Sequence, residues 1–92
     1  MINIIKEEKF YEFNPNLKST IASNIRKYRK LRGLTQEELA LYAELSYDFV
    51  RRIESSSGKS GFSVYTIYKL ATVLEVSLDD LIKEEKITTK NS

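Results

Sequence analysis

Arg26, Lys27, Arg29, Lys30 and Arg32 form a run of cations free of acids, and a second pair, Arg51 and Arg52, follows beside Tyr47 and Asp48. Glu37, Glu38 and Glu44 stand between the two groups. Positive charge separated in this way steers a polyanion to one face of a molecule even when the net charge is only +2. Other chemistries have few tools. The chain has no Cys, hence no disulfide or thiolate metal site, and no His, the commonest general base and metal ligand. Carboxylates can do acid–base work or hold a hard cation, but here they are scattered along helix-like segments instead of clustering at loop-ligand spacing. No convergent carboxylate pair recommends a hydrolase. We therefore expect no catalytic residue, no metal, no cofactor and no small-molecule ligand.

Length and composition bound the rest. At 92 residues the chain is one domain with a single core. Its apolar fraction of 41% suits a soluble globule, and no apolar run approaches the roughly 18 residues of a membrane span. The opening stretch MINIIKEEKF is too short and too charged for a secretory signal and lacks a small-residue cleavage site. These features predict an intracellular, cytoplasmic protein with no membrane partner.

The elements that must position the cations are helices. From Ser19 the apolar residues Ile21, Ile25, Tyr28 and Leu31 recur at spacings of three and four, with Leu17 four before the first. Ser19 or Thr20 can cap the start of this helix, and Gly33 can supply the left-handed residue that ends it. Thr35-Gln36-Glu37-Glu38 reads as a capping box opening a second helix, which buries Leu39, Ala40 and Ala43. Ser46 caps a third, with Val50 and Ile53 inward, so Tyr47, Asp48, Arg51 and Arg52 face outward. Small Ala40 and Ala43 allow the second and third helices to approach closely, and Leu45 turns inward at their corner. The stretch Ser55 to Ser63, SSSGKSGFS, is a loop by composition. Ser63 caps a fourth helix with Val64, Ile67, Leu70, Ala71 and Leu74 inward. Ser77 caps a fifth, where Leu78, Leu81 and Ile82 close the core and Asp79 and Asp80 complement the helix dipole.

Three segments follow: an extension over residues 1–18, a helical domain over 19–83 and a frayed tail over 84–92. The extension mixes Ile2, Ile4, Ile5, Phe10, Tyr11 and Phe13 with charges before the boundary at Asn14-Pro15-Asn16. Its aromatic and β-branched content suits an extended strand or a docked arm.

The fragments IRKYRKLRGLTQEELA, LSYDFVRRIE and LATVLEVSLDDLI, in this order and spacing, resemble the helix-turn-helix domain of phage Cro and repressor proteins, the Xre type, over roughly Ser19 to Ile82. The resemblance implies an all-α, compact five-helix bundle of the lambda-repressor-like type. It also implies a sequence-specific, double-stranded DNA-binding transcriptional regulator, most simply a repressor, that lays helix 47–55 in the major groove. That groove, about 12 Å wide, admits one helix if nothing bulky precedes its N-terminus, and a three-residue turn gives that clearance. By correspondence with the family, Tyr47, Asp48 and Arg52 meet base edges: Arg52 on guanine, Asp48 on a cytosine amino group, Tyr47 on a thymine methyl or a phosphate. Gln36 and Ser46, at helix starts that already favour an anion, contact phosphates, as do Arg51 and Lys59. Arg29 and Glu54 match a structural ion pair. Lys27, Lys30 and Arg32 remain general electrostatic surface.

The same pattern implies a homodimer on two half-sites, formed in solution or only on DNA, through the fifth helix or the extension. A protein-interaction module, such as an antitoxin or anti-repressor component, is the alternative, because fold does not settle function. The chain departs from the family at Glu44 and Glu75, where glycine is common, and in a loop after Glu54 about two residues longer than usual. Leu41 and Tyr42 replace residues that are usually polar, which suggests that Phe10 to Phe13 folds onto them or onto a second subunit.

Overall fold

The structure, a computed structural model, describes residues 10–55 and 61–84. Within them it is all-helical: α1 Leu17–Leu31, α2 Gln36–Ala43, α3 Tyr47–Glu54, α4 Val64–Leu74 and α5 Leu78–Ile82. Lys59, residues 1–9 and residues 85–92, most of the expected tail, lie outside the described residues. No described helix is long and apolar enough to cross a membrane.

One core joins all five helices. Ile25, Leu39, Leu70, Leu74 and Leu81, one or two from each of four helices, are fully buried, and Val50 and Ile53 seal the inner side of α3. Four helices open on hydroxyl caps. Thr35, Ser46, Ser63 and Ser77 accept from the backbone N–H groups of Glu38, Phe49, Thr66 and Asp80, each satisfying one otherwise orphaned donor. Glu38 and Asp80 return the bond to complete capping boxes. The Ser77 backbone N–H, with help from its hydroxyl, holds the Asp80 carboxyl below the ordinary aspartate value.

Three helices end alike. Gly33, Glu44 and Glu75 take positive φ values of 71°, 58° and 60°. The following N–H then reaches back a full turn, from Leu34 to Arg29 O (3.0 Å), Leu45 to Ala40 O (2.8 Å) and Val76 to Ala71 O (3.0 Å), the Schellman closure. Only the first of these positions carries glycine. A left-handed residue with a Cβ costs roughly 1–2 kcal/mol, so Glu44→Gly should raise stability by about 1 kcal/mol after glycine's extra unfolded-state freedom is subtracted. In a domain this small that is a rise of about 4–8 °C in Tm. Lys69 donates to the Glu44 carbonyl at 3.2 Å, a bond glycine would keep. A Tm that stays level or falls would contradict the strain argument.

Three expectations are corrected. Helix α1 begins at Leu17, and its N-cap is Asn16, not Ser19 or Thr20. The Asn14 carboxamide ties this entry together, its nitrogen donating to Thr20 Oγ1 (2.9 Å) and its oxygen accepting from the Asn16 N–H (2.9 Å). Thr20 is thereby used inside the first turn. Second, Val64, Leu78 and Ile82 do not face the core: Val64 is 77% exposed and the other two are partly exposed. With Leu17, Ile21, Phe62 and Ile67 they line an apolar groove of about 390 Å³ at the meeting of α1, α4 and α5. The third concerns only residues 10–13 of the extension, which form neither helix nor strand, while the strand-or-arm expectation for residues 1–9 lies outside the described residues. Phe10, Tyr11 and Phe13 stay exposed, as do Leu41 (70%) and Tyr42 (57%), so Phe10 to Phe13 do not fold onto them within this chain.

Candidate nucleic-acid interface

The connection between α2 and α3 consists of Glu44, Leu45 and Ser46. It is this short because the left-handed Glu44 reverses the chain, Leu45 packs against the core edge and Ser46 immediately caps the next helix, with Phe49 N–H to Ser46 Oγ at 3.0 Å. Ala40 and Ala43, both buried, leave room for the two helices to pack closely at the elbow. Burial of Val50 and Ile53 fixes the rotation of α3, and Tyr47, Asp48, Arg51 and Arg52 are consequently all exposed.

These outward side chains are not independent. Asp48 Oδ1 accepts from Arg51 Nη2, and Asp48 Oδ2 lies 3.0 Å from Arg52 Nε. One carboxylate therefore clasps two guanidiniums, at i+3 and i+4 on the same face. The hydrogen bond from Arg51 is the main reason the Asp48 carboxyl sits below the ordinary aspartate value, with the Arg51 and Arg52 charges adding to it. The flank carries a net single positive charge, and the far edge of the Arg52 guanidinium remains open.

Behind α3 lies a buried polar knot. Glu54, only 1% exposed, receives Arg29 Nε at 2.6 Å and Arg29 Nη2 at 2.9 Å, a bidentate pair with a guanidinium whose side chain is 11% exposed. Arg29 Nη1 also donates to Leu34 O (2.8 Å), so the same residue fixes the link from α1 to α2. Gln36, the first residue of α2, donates its amide to Glu54 Oε1 at 3.0 Å. That side chain has a second N–H, which leaves it able to hold the carboxylate and meet a phosphate together. Arg26 adds a bond from Nη2 to the Glu54 carbonyl at 2.6 Å. Three residues from two other helices thus anchor the C-terminal end of α3.

Two contributions carry little signal in the sequence. Arg26 lies within the general basic run, and its spacing of three from Arg29 places both on the side of α1 that meets Glu54. Asn24 stands among apolar residues. It is buried, and its amide donates to Leu81 O (2.7 Å) and Lys83 O (2.9 Å), tying α5 to α1. The available signal was a lone carboxamide beside Ile21 and Ile25 on the apolar stripe. Arg32 faces elsewhere, toward Leu74 O and Glu75. Among the described residues no group of His, Cys, Asp or Glu is placed to hold a metal ion.

Comparison with known proteins agrees with this geometry. The helix-turn-helix family model HTH_3 matches residues 25–81. An uncharacterized HTH-type transcriptional regulator, y4dJ of Sinorhizobium fredii, is 31% identical over 67 residues, covering 73% of this chain and 84% of that protein. Among solved structures, a hypothetical transcription factor from Neisseria superposes with a TM-score of 0.69 at 30% identity, covering 73% of each chain. SinR of Bacillus subtilis, the master regulator for biofilm formation, solved in complex with DNA, gives a TM-score of 0.64 at 30% identity over 68% of this chain and 98% of the SinR chain in that structure.

Proposed function

The chain belongs to the helix-turn-helix family HTH_3, and on that premise we propose that it is a sequence-specific repressor of transcription that reads double-stranded DNA with α3 in the major groove. Its relatives are named as transcriptional regulators or transcription factors, and SinR was solved in complex with DNA. The observation that carries the reading is the three-residue turn, which leaves the N-terminal end of α3 and its cationic flank exposed while the opposite flank is buried. In this reading Arg52 meets guanine through its open edge, Tyr47 meets a base edge or a thymine methyl, and Asp48 stands at the same tip. Gln36, Ser46, Arg51 and Lys59 contact phosphates, the first two at the starts of α2 and α3, where free N–H groups already favour an anion. The protein works in the cytoplasm, alongside its DNA.

One recognition helix reads only a few base pairs, so the proposal includes a homodimer on half-sites about 34–36 Å apart. Among the described residues the apolar groove between α1, α4 and α5 is one surface available to such an interface. The rival reading, an antitoxin or anti-repressor component that binds a protein, draws on exposed Leu41 and Tyr42 of α2 and the stacked pair Tyr65 and Tyr68 of α4, whose ring centroids lie 6.1 Å apart.

Selection of bound sequences from a random duplex library separates the two. A reader yields a preferred half-site and a fixed spacing, and Arg52→Ala loses about 1–3 kcal/mol of discrimination at one base pair. Weak binding without sequence preference, in wild type and variant alike, would favour the adaptor.

A further inference from the structure

We propose that Asp48 is a positioning residue for base readout: it acts through Arg52 and Arg51, fixing which edge of Arg52 meets the DNA and restraining both arginines from indiscriminate phosphate binding. This rests on the reading of α3 as the recognition helix. Both carboxylate oxygens are engaged, one with Arg51 Nη2 and the other with Arg52 Nε at 3.0 Å. With Nε turned toward Asp48, the end of the Arg52 guanidinium formed by its two terminal nitrogens faces away from the clasp. That end is the fork which fits guanine O6 and N7. A long side chain held in one rotamer before binding loses less freedom on docking. The neighbouring Tyr47 offers no competing charge, and no other acid lies on α3 except Glu54, which is buried behind it.

The second effect is electrostatic. All three charged side chains are about half exposed, so Asp48 would sit among phosphates when the helix enters a groove. A carboxylate there penalises every duplex equally, whereas the pre-set Arg52 rewards only the correct base pair. Asp48 therefore raises specificity at the expense of affinity.

The test is binding-site selection and salt titration of wild type, Asp48→Ala, Asp48→Glu and Arg52→Ala in the full chain. Asp48→Ala should bind random duplex more tightly, steepen the slope of log affinity against log salt by about one phosphate contact, and cut the ratio of specific to random affinity by about tenfold. The base position it relaxes should be the one relaxed by Arg52→Ala. Asp48→Glu, which can still reach Arg52 at i+4, should keep most of the ratio. Relaxation of a different base position would show that Asp48 reads its own base and would overturn the proposal, as would an unchanged ratio. Wild-type protein without any preferred site would remove the recognition-helix reading itself, and with it this inference.

Discussion

Replacing Glu54 by alanine should cost about 3–5 kcal/mol of stability, because it strands a charge that the fold has already taken out of water. The guanidinium of Arg29 would keep only its bond to Leu34 O, and Gln36 would lose its acceptor, while Arg26 would keep its bond to the backbone carbonyl of residue 54 and lose only a 3.8 Å approach to the carboxylate. Small domains have about 5–15 kcal/mol in total, so the variant should melt tens of degrees lower or fail to fold at 37 °C. Thermal and urea denaturation monitored by helical circular dichroism measure this directly. The paired change Arg29→Met with Glu54→Leu should recover much of the loss, since an apolar pair of similar volume escapes the desolvation cost. The recovered protein would then bind DNA poorly only if the knot also sets the angle of α3. A loss below about 1 kcal/mol for Glu54→Ala would mean that the pair is solvated in solution and is worth no more than a surface bridge.

That knot also shows where reading the sequence succeeds and where it stops. Helix number, order and capping residues were legible because each depends on a few neighbours: hydroxyls at Thr35, Ser46, Ser63 and Ser77, and apolar spacing between them. The ends with positive φ at Glu44 and Glu75 were legible only as departures from a family pattern, since glutamate carries no local signal for that conformation. Periodicity finds the apolar stripe of a helix but not what covers it. Val64, Leu78 and Ile82 obey the stripe and still face an open groove, because α5 has only five residues and three helix ends converge there. The start of α1 lies ahead of the hydroxyl at Ser19 for the opposite reason. Asn16 stands at the N-cap position without a side-chain capping bond, and Asn14 braces this entry by bonding the Asn16 N–H and Thr20 Oγ1 across Pro15. At the interface, the outward set on α3 followed from Val50 and Ile53, whereas the sharing of Glu54 among Arg29, Gln36 and Arg26 depends on three helices meeting in space. The Asp48 clasp stands between these cases: its i+3 and i+4 spacing is visible in the sequence, but which of the two arginines each carboxylate oxygen takes is set by the side-chain geometry.

Asn24→Ala should cost about 2–3 kcal/mol, concentrated in α5, through the loss of two hydrogen bonds that no other described residue replaces. Helix α5 has five residues, too few to be stable alone. Its last carbonyls have no partner within the helix, and Asn24 supplies them, reaching from α1 to Leu81 O and Lys83 O. The Leu81 side chain, fully buried, packs at the same point, so releasing the carbonyls also loosens its packing. Asn24→Asp keeps the volume but turns both donors into acceptors aimed at carbonyl oxygens, and it should be at least as damaging. Hydrogen exchange resolves the two halves of this expectation: protection should fall first at the Leu81, Ile82 and Lys83 amides, while α2 and α3 retain theirs until global unfolding. Exchange at α5 equal to wild type, with a Tm within about a degree, would show that the carbonyls find water instead. Leu78 and Ile82 are also a wall of the apolar groove. If two copies meet across that groove, Asn24→Ala should weaken binding to a two-half-site duplex far more than binding to a single half-site, because it removes the partner surface and leaves the reading helix in place.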